Sequence, residues 1–373
     1  MRTIGVEEEF LLVDPRGRPR PLADPVVAVA REHEHDHAPP AAGEGGLDDE
    51  LGGIEHELQL EQAESGTPPT ADAGELLELV ADRRRVLADA ARERGGLLAA
   101  LGTSPLPVRP TPTPDERYLT MMREYGVTAH EQLTCGCHVH VDIASRAEGV
   151  AVLAGIGPWL PVVAALAANS PFWQGQDTGY ASYRRMVWER WPGAGPTQPF
   201  ADEAEYDAAV AALVRSGVLL DDAMVYFDAR LSARYPTVEV RVADVQPEAA
   251  DTVLVAALVR ALVDTAAATP PGGFPRPRLE LLRGASWRAA RSGLSGDLVD
   301  VVRGTAVPAL ELVQRLVDHV RPALRSNGDL AGVEASLARL VDRGTGADLQ
   351  RASHRRRGRL SDVVADAVAR TAP

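Results

Sequence analysis

Four separated segments of this 373-residue chain place acids or histidines where a strand would bury apolar residues. In Ile4-Gly5-Val6-Glu7-Glu8-Glu9-Phe10-Leu11-Leu12, period-two alternation puts Glu7 and Glu9 on one face. Side-by-side carboxylates repel unless a cation lies between them or one is protonated. Taken alone, the segment also reads as a solvent-facing edge strand. The stretch from Glu55 to Glu64 is denser in acids and alternates imperfectly, so by itself it reads as an acidic surface element. Residues 135–143 alternate cleanly. Cys135, Cys137, Val139, Val141 and Ile143 form an apolar face, and His138, His140 and Asp142 form a polar one. The letters Cys-x-Cys-His-x-His invite a zinc site, but strand alternation sends cysteines and histidines to opposite sides. Two imidazoles on one strand face suit a metal or phosphate site, with local hydrogen bonding as the plainer alternative. In Thr237 to Asp244, Glu239 and Arg241 share a face. That pair is either a strand salt bridge or a metal-binding acid beside a phosphate-binding guanidinium.

The segments gain force together. Each has an apolar back and an ionisable front, and so many acids and histidines need compensation from cations. Magnesium takes oxygen ligands and usually bridges substrate phosphates. Carboxylate-rich ligation with one histidine favours Mg²⁺ or Mn²⁺ over structural zinc. A zinc-dependent hydrolase or metal-binding protein, drawing on the Cys/His run and on His33–His37, is the competing expectation.

Composition narrows the class. All 39 basic residues are arginine, and a chain without lysine has no P-loop lysine, hence no Walker-type nucleotide site. The net charge of −14 argues against nucleic acid and anionic membrane as partners. Two cysteines one residue apart are poor disulfide partners, which fits a reduced, cytoplasmic setting. The N-terminus reads as lacking a signal peptide. The apolar stretch 149–168 is interrupted by Pro158 and Pro161 and reads as a buried helix pair.

The elements that must position these residues follow from the pattern. Thr3–Val13 and Ile54–Glu64 are expected strands, with a Gly, Pro, His and acid-rich connector at 31–53 between them. Helical periodicity covers Asp72–Arg94, with Leu76, Leu77, Val80, Val86, Leu87 and Ala90 on one side. A short strand at 97–102, a Pro-rich loop at 105–114 and a helix at 115–125 precede the strand Leu133–Ile143. Helices to Ala168, an irregular stretch at 169–200, a helix at 203–216 and a strand at 237–242 follow. From Pro247 onward nearly everything reads as helix, with breaks at 269–277 and 292–296. The class is α+β, expected as one catalytic domain over 1–373, sheet-bearing to about 245 and mainly helical from about 246.

The motifs Gly5–Asp14 (GVEEEFLLVD), 62–68 (QAESGTP), 135–143 (CGCHVHVDI) and 237–244 (TVEVRVAD) occur in the order found in a known family. Residues 169–185, 226–241 and, more weakly, 342–347 extend the likeness. The chain resembles the carboxylate–amine ligase branch of the type-2 glutamate–cysteine ligases, within the glutamine synthetase superfamily. The resemblance implies a curved antiparallel sheet over a site for ATP and two or three divalent metals, and a homodimer. It implies that Glu9, Glu57 and Glu64 hold one metal near the substrate, while Glu7, His138 and Glu239 hold the metal on the ATP phosphates. His140 would hydrogen-bond a phosphate, Arg241 would stabilise the transferring phosphoryl group, and Arg184 and Arg230 would contact substrate carboxylate or phosphate. Glu64 is the candidate base for the amine. The register of Glu55, Glu57 and Glu61 within their segment stays open. The partners implied are a small-molecule acid and amine.

Overall fold

The computed structural model describes residues 1–37, 53–270 and 273–372. Its centre is a seven-stranded antiparallel sheet built from β1 (Ile4–Val13), β2 (Ile54–His56), β3 (Gln62–Gly66), β4 (Leu97–Ala99), β5 (Gly136–Asp142), β8 (Ala229–Leu231) and β9 (Thr237–Asp244). Two minor hairpins, β6 (Phe172–Trp173) with β7 (Gln176–Asp177) and β10 (Asp297–Asp300) with β11 (Thr305–Pro308), lie outside it. The main sheet runs β2-β3-β1-β5-β9-β8, and β4 pairs with the far end of β1.

Helices α1 (Ala23–His37), α2 (Ala73–Glu93), α3 (Glu116–Tyr125), α4 (Val127–His130), α5 (Arg146–Ile156), α6 (Leu160–Leu166), α7 (Tyr183–Trp188) and α8 (Glu203–Arg215) interleave with the strands. The last third carries α9 (Ala249–Ala267), α10 (Leu279–Ser292), α11 (Ala309–Asn327), α12 (Leu330–Arg343), α13 (Gly346–Arg357) and α14 (Leu360–Thr371). Asp72 caps α2 by accepting from Glu75 N, as an N-cap acid should. The back of the sheet buries Ile4, Val6, Cys137, Val139, Val141, Val238 and Val240 in one core with α5, α6, α9 and α11. A second core gathers Phe10 and Leu12 with α1, α2 and α14.

Several expectations are corrected. The Ile54–Glu64 strand is two short strands, β2 and β3, pairing Glu55 with Glu64 across a turn. The acids there alternate imperfectly because the chain reverses. The 31–53 connector begins inside α1, and residues 38–52 lie outside the described residues. Of the His33–His37 run, the side chain described is His33, which stands 3.2 Å from Glu93. The β10–β11 hairpin interrupts the helical third; Asp297–Asp300 and Thr305–Pro308 are too short for a strand period to show in the sequence. The stretch Arg146–Leu166 is apolar enough to cross a membrane, yet 72% of that window is buried inside the fold. Pro158 and Pro161 sit in its 3₁₀ turn and at the following helix start, where a missing N–H is tolerated.

Candidate active site

Strand alternation delivers the front-face residues to one cavity of about 320 Å³. Glu7 and Glu9 point into it from β1, His138 and His140 from β5, Glu239 and Arg241 from β9, and Arg230 from β8. Register sets the neighbours: Glu7 pairs with His138, Glu9 with Glu64, and His140 with Glu239. Between Cys137 and Val139 the β5–β9 register slips by one residue, so Arg241 and Val242 oppose the single residue His138. That bulge leaves the Arg241 guanidinium 3.5 Å from His138 Nδ1.

Two ligand clusters result. In one, Glu7, His138 and Glu239 offer donor atoms that all lie within 4.8 Å of one another, and in the other Glu9, Glu64 and His138 do so. His138 Nδ1 is 3.4 Å from Glu7 Oε2, and His140 Nε2 is 3.3 Å from Glu7 Oε1. Glu57 lines the same cavity, and its charge is among those pressing on Glu9 and Glu64. Glu61 turns away and accepts from Thr111 N and Oγ1 at 2.8 and 2.9 Å, while Glu55 sits exposed at the rim. Of these three acids, Glu55 and Glu57 line the cavity and Glu61 does not.

The electrostatics divide the cavity. At one end Arg230 grips Glu239 through Nε (2.6 Å) and Nη2 (3.2 Å), and Arg241 closes on the same carboxylate. Although burial opposes ionisation, these arginines hold the Glu239 carboxyl far below the usual range. At the other end burial, then Glu57, push Glu9 up to about 7. Burial, then Glu57 and Glu7, push Glu64 well above the carboxylate range. Burial, then Arg241, lower His138 to about 4, so near neutral pH its imidazole is uncharged and one ring nitrogen carries a lone pair to offer a cation. His138 Nε2 has no hydrogen-bond partner among the described residues. Crowded carboxylates, a neutral imidazole and an orphaned ring nitrogen fit an oxygen-preferring divalent cation. The cysteines do not take part. Burial pushes both thiols well up, and neither belongs to a candidate metal cluster among the described residues.

A family model for glutamate–cysteine ligase family 2 matches residues 3–366. The chain belongs to that family. It is accordingly an ATP-dependent carbon–nitrogen ligase. A Frankia alni protein provisionally named glutamate–cysteine ligase 2-2 is 52% identical over 98% of this chain and 95% of its own length. A Streptomyces coelicolor protein provisionally named glutamate–cysteine ligase 2 is 48% identical over 100% and 99%. The fold is also similar to a Francisella tularensis glutamate–cysteine ligase solved with AMP. That likeness has a TM-score of 0.68 at 13% identity, over 100% of this chain and 89% of the other. A bifunctional glutathione synthetase from Pasteurella multocida gives the same TM-score at 14% identity, over 100% of this chain and 52% of the other. At such low identity these structures establish the fold, which is glutamine synthetase-like.

Arg184 departs from its expected place among the ligand contacts. Its guanidinium has no exposed surface, lies 3.9 Å from Asp244 Oδ1 and reaches the Arg241 carbonyl at 3.4 Å, behind the cavity wall. Gly136 makes room for it, since a Cβ there would fall 2.1 Å from Arg184 Nη2. Asp244 also accepts from Ser170 and Ser182 at 2.7 and 2.8 Å, so the wall is stitched from three separate segments. Other lining residues escaped sequence reasoning: Arg117, Tyr118 and Met121 from α3, Gln132, Trp188, Trp191 and Tyr226. Trp188 and Tyr226 flank Arg241, whose guanidinium carbon lies 5.4 and 5.9 Å from their ring centres. Tyr226 opens the 226–241 segment, but no strand period marks any of these positions as facing the site.

Proposed function

We propose that this ligase activates a carboxylate, the γ-carboxylate of glutamate or a closely related acid, and joins it to an amine such as cysteine. A carboxylate oxygen attacks the γ-phosphorus of ATP, the bond to the bridging oxygen breaks, and ADP leaves. The amine nitrogen then attacks the acyl phosphate carbonyl, the C–O bond to phosphate breaks, and the amine proton passes to a base. Glu7, His138 and Glu239 are the residues that fit a metal on the ATP phosphates, and Glu9 and Glu64, with Glu57 lining the same cavity, would hold one near the substrate. Bound there, Mg²⁺ or Mn²⁺ would offset charge on the transferring phosphoryl group.

The residues of the chain supply the rest. Arg241, cornered by Trp188 and Tyr226, meets charge developing on the equatorial phosphoryl oxygens. His140, fixed at 3.0 Å to Thr237 Oγ1, serves as a phosphate contact, and Arg230 completes the cationic end. Glu64, half-buried at the acidic end, serves as acceptor for the amine proton. The observation that carries the reading is the convergence of both acid clusters on His138 in one cavity. The test is an ADP-release screen of glutamate and related acids against amines, with mass spectrometry of the product. Glu239→Ala should abolish ADP release while the protein remains folded by circular dichroism. Unchanged release from that folded variant would overturn the metal assignment.

A further inference from the structure

Four arginines line the cavity among the described residues: Arg117, Arg230, Arg234 and Arg241. Arg230 and Arg241 are committed to Glu239. Arg234 lies on the β8–β9 connection next to Tyr235, whose ring meets that of His140 edge-on at 6.0 Å, so it belongs to the phosphate end. Arg117 is placed differently. It sits in the first turn of α3, just after Thr113, which ties this part of the chain to the Glu57 segment: Thr113 Oγ1 donates to the Glu57 carbonyl at 2.6 Å and Thr113 N to the Leu58 carbonyl at 3.0 Å. Arg117 is therefore the lining arginine that borders the acid-rich end.

Its geometry leaves one edge available. Asp221 accepts from Arg117 Nε and Nη2 at 2.8 and 2.9 Å, a two-point grip that fixes the plane of the guanidinium. Nη1 faces the Met121 sulfur at 3.7 Å, a weak acceptor. Both members of the Arg117–Asp221 pair are more than a third exposed, so the pair adds little to stability. Orientation is what it provides.

A ligand reaching Glu57 and Glu64 enters strongly negative surroundings. An ammonium or amine nitrogen is welcome there, whereas a carboxylate needs a cation of its own. Resting on the ligase reading above, we infer that Arg117, oriented by Asp221, is the specificity-determining residue for the amine substrate and binds a carboxylate on it. The amine is then an amino acid: its nitrogen lies toward Glu64 and its carboxylate displaces the Met121 sulfur from Nη1. A simple amine leaves the Nη1 edge facing a thioether.

The experiment compares kcat/KM for amino-acid amines with their decarboxylated counterparts, cysteine against cysteamine first, using the full chain with Mg²⁺-ATP. The wild type should favour the amino acid. In Arg117→Gln that preference should fall about 10- to 100-fold, the scale of one charge-assisted hydrogen bond, through KM for the amino acid. Asp221→Asn should move the ratio in the same direction by less, and Arg117→Lys should recover part of it. Equal losses on both amines, or a wild type without preference, would overturn the inference while leaving the ligase reading intact. Absence of ADP release with every acid and amine, seen already in the wild type, would overturn the ligase reading and this inference with it.

Discussion

Three consecutive glutamates on β1 meet opposite fates on the two faces of the sheet. On the back, Glu8 accepts from Arg84 Nε and Nη2 at 2.9 and 2.6 Å and from Thr252 Oγ1 at 2.6 Å. Arg84 also donates to the Gln246 carbonyl at 2.8 Å, so the pair ties α2 and α9 to the strand. On the front, Glu7 and Glu9 face histidines and further acids. The back is completed by the chain itself, and a buried charge there is satisfied at every lone pair that matters. The front is left short of positive charge at its acidic end. A site that must receive cations and anionic substrates cannot also be at its electrostatic optimum without them.

Changes on the two faces should therefore break different properties. The largest effect belongs to the front: Arg241→Met should lower the rate of ADP release by about 10³- to 10⁵-fold, the range of a transition-state arginine. Its melting temperature should shift far less than its activity, and a small rate loss would remove Arg241 from the chemistry. Next is the back, where Glu8→Gln strands Arg84 and should cost about 3–5 kcal/mol in urea unfolding. A loss under 1 kcal/mol would mean that the pair is not the tie it looks to be.

Metal should act on the front alone. At about a hundredfold excess over its dissociation constant, Mg²⁺ should stabilise the wild type by about 2.7 kcal/mol. Glu64→Gln should lose most of that response and be more stable than the wild type in EDTA, because a neutral amide relieves the burial of charge beside Glu57 and Glu7. Equal Mg²⁺ responses in the two proteins would detach Glu64 from the metal. The smallest expected change is with pH in the metal-free protein. Glu9, Glu64 and His140 have folded values above their ordinary ones, so their stabilisation is full at low pH and lost as pH rises through the folded values, about 7 for Glu9. His138, depressed to about 4 from 6.5, works the other way below pH 6.5. Unfolding midpoints in EDTA should thus decline most steeply between about pH 6.5, where the opposing gain from His138 ends, and about pH 7, the folded value of Glu9. A rise over that interval would contradict the assigned crowding.

Much of the site could be read from the letters because strands have a period of two. That period alone separates Glu7 and Glu9 from Glu8, and His138 and His140 from the cysteines, before any partner strand is known. Arg184 misled because a motif position says nothing about depth: the residue is near the site in sequence pattern yet sealed behind Gly136. Arg117, Tyr118, Trp188 and Tyr226 were silent because they reach the cavity from helices and connections, where no alternation exposes a front face. The split of 54–66 into β2 and β3 was hidden for a related reason. Both strands are too short for a period to establish itself.

By itself, then, the sequence determined which strand residues face a common side and that their charge demands cations, because backbone geometry fixes side-chain direction locally. Tertiary structure decided which of those residues meet. Cross-strand register set Glu9 against Glu64 and His140 against Glu239, the β9 bulge brought Arg241 to His138, and distant helices supplied the walls. Those choices depend on contacts between segments far apart in the chain, and no local pattern encodes them.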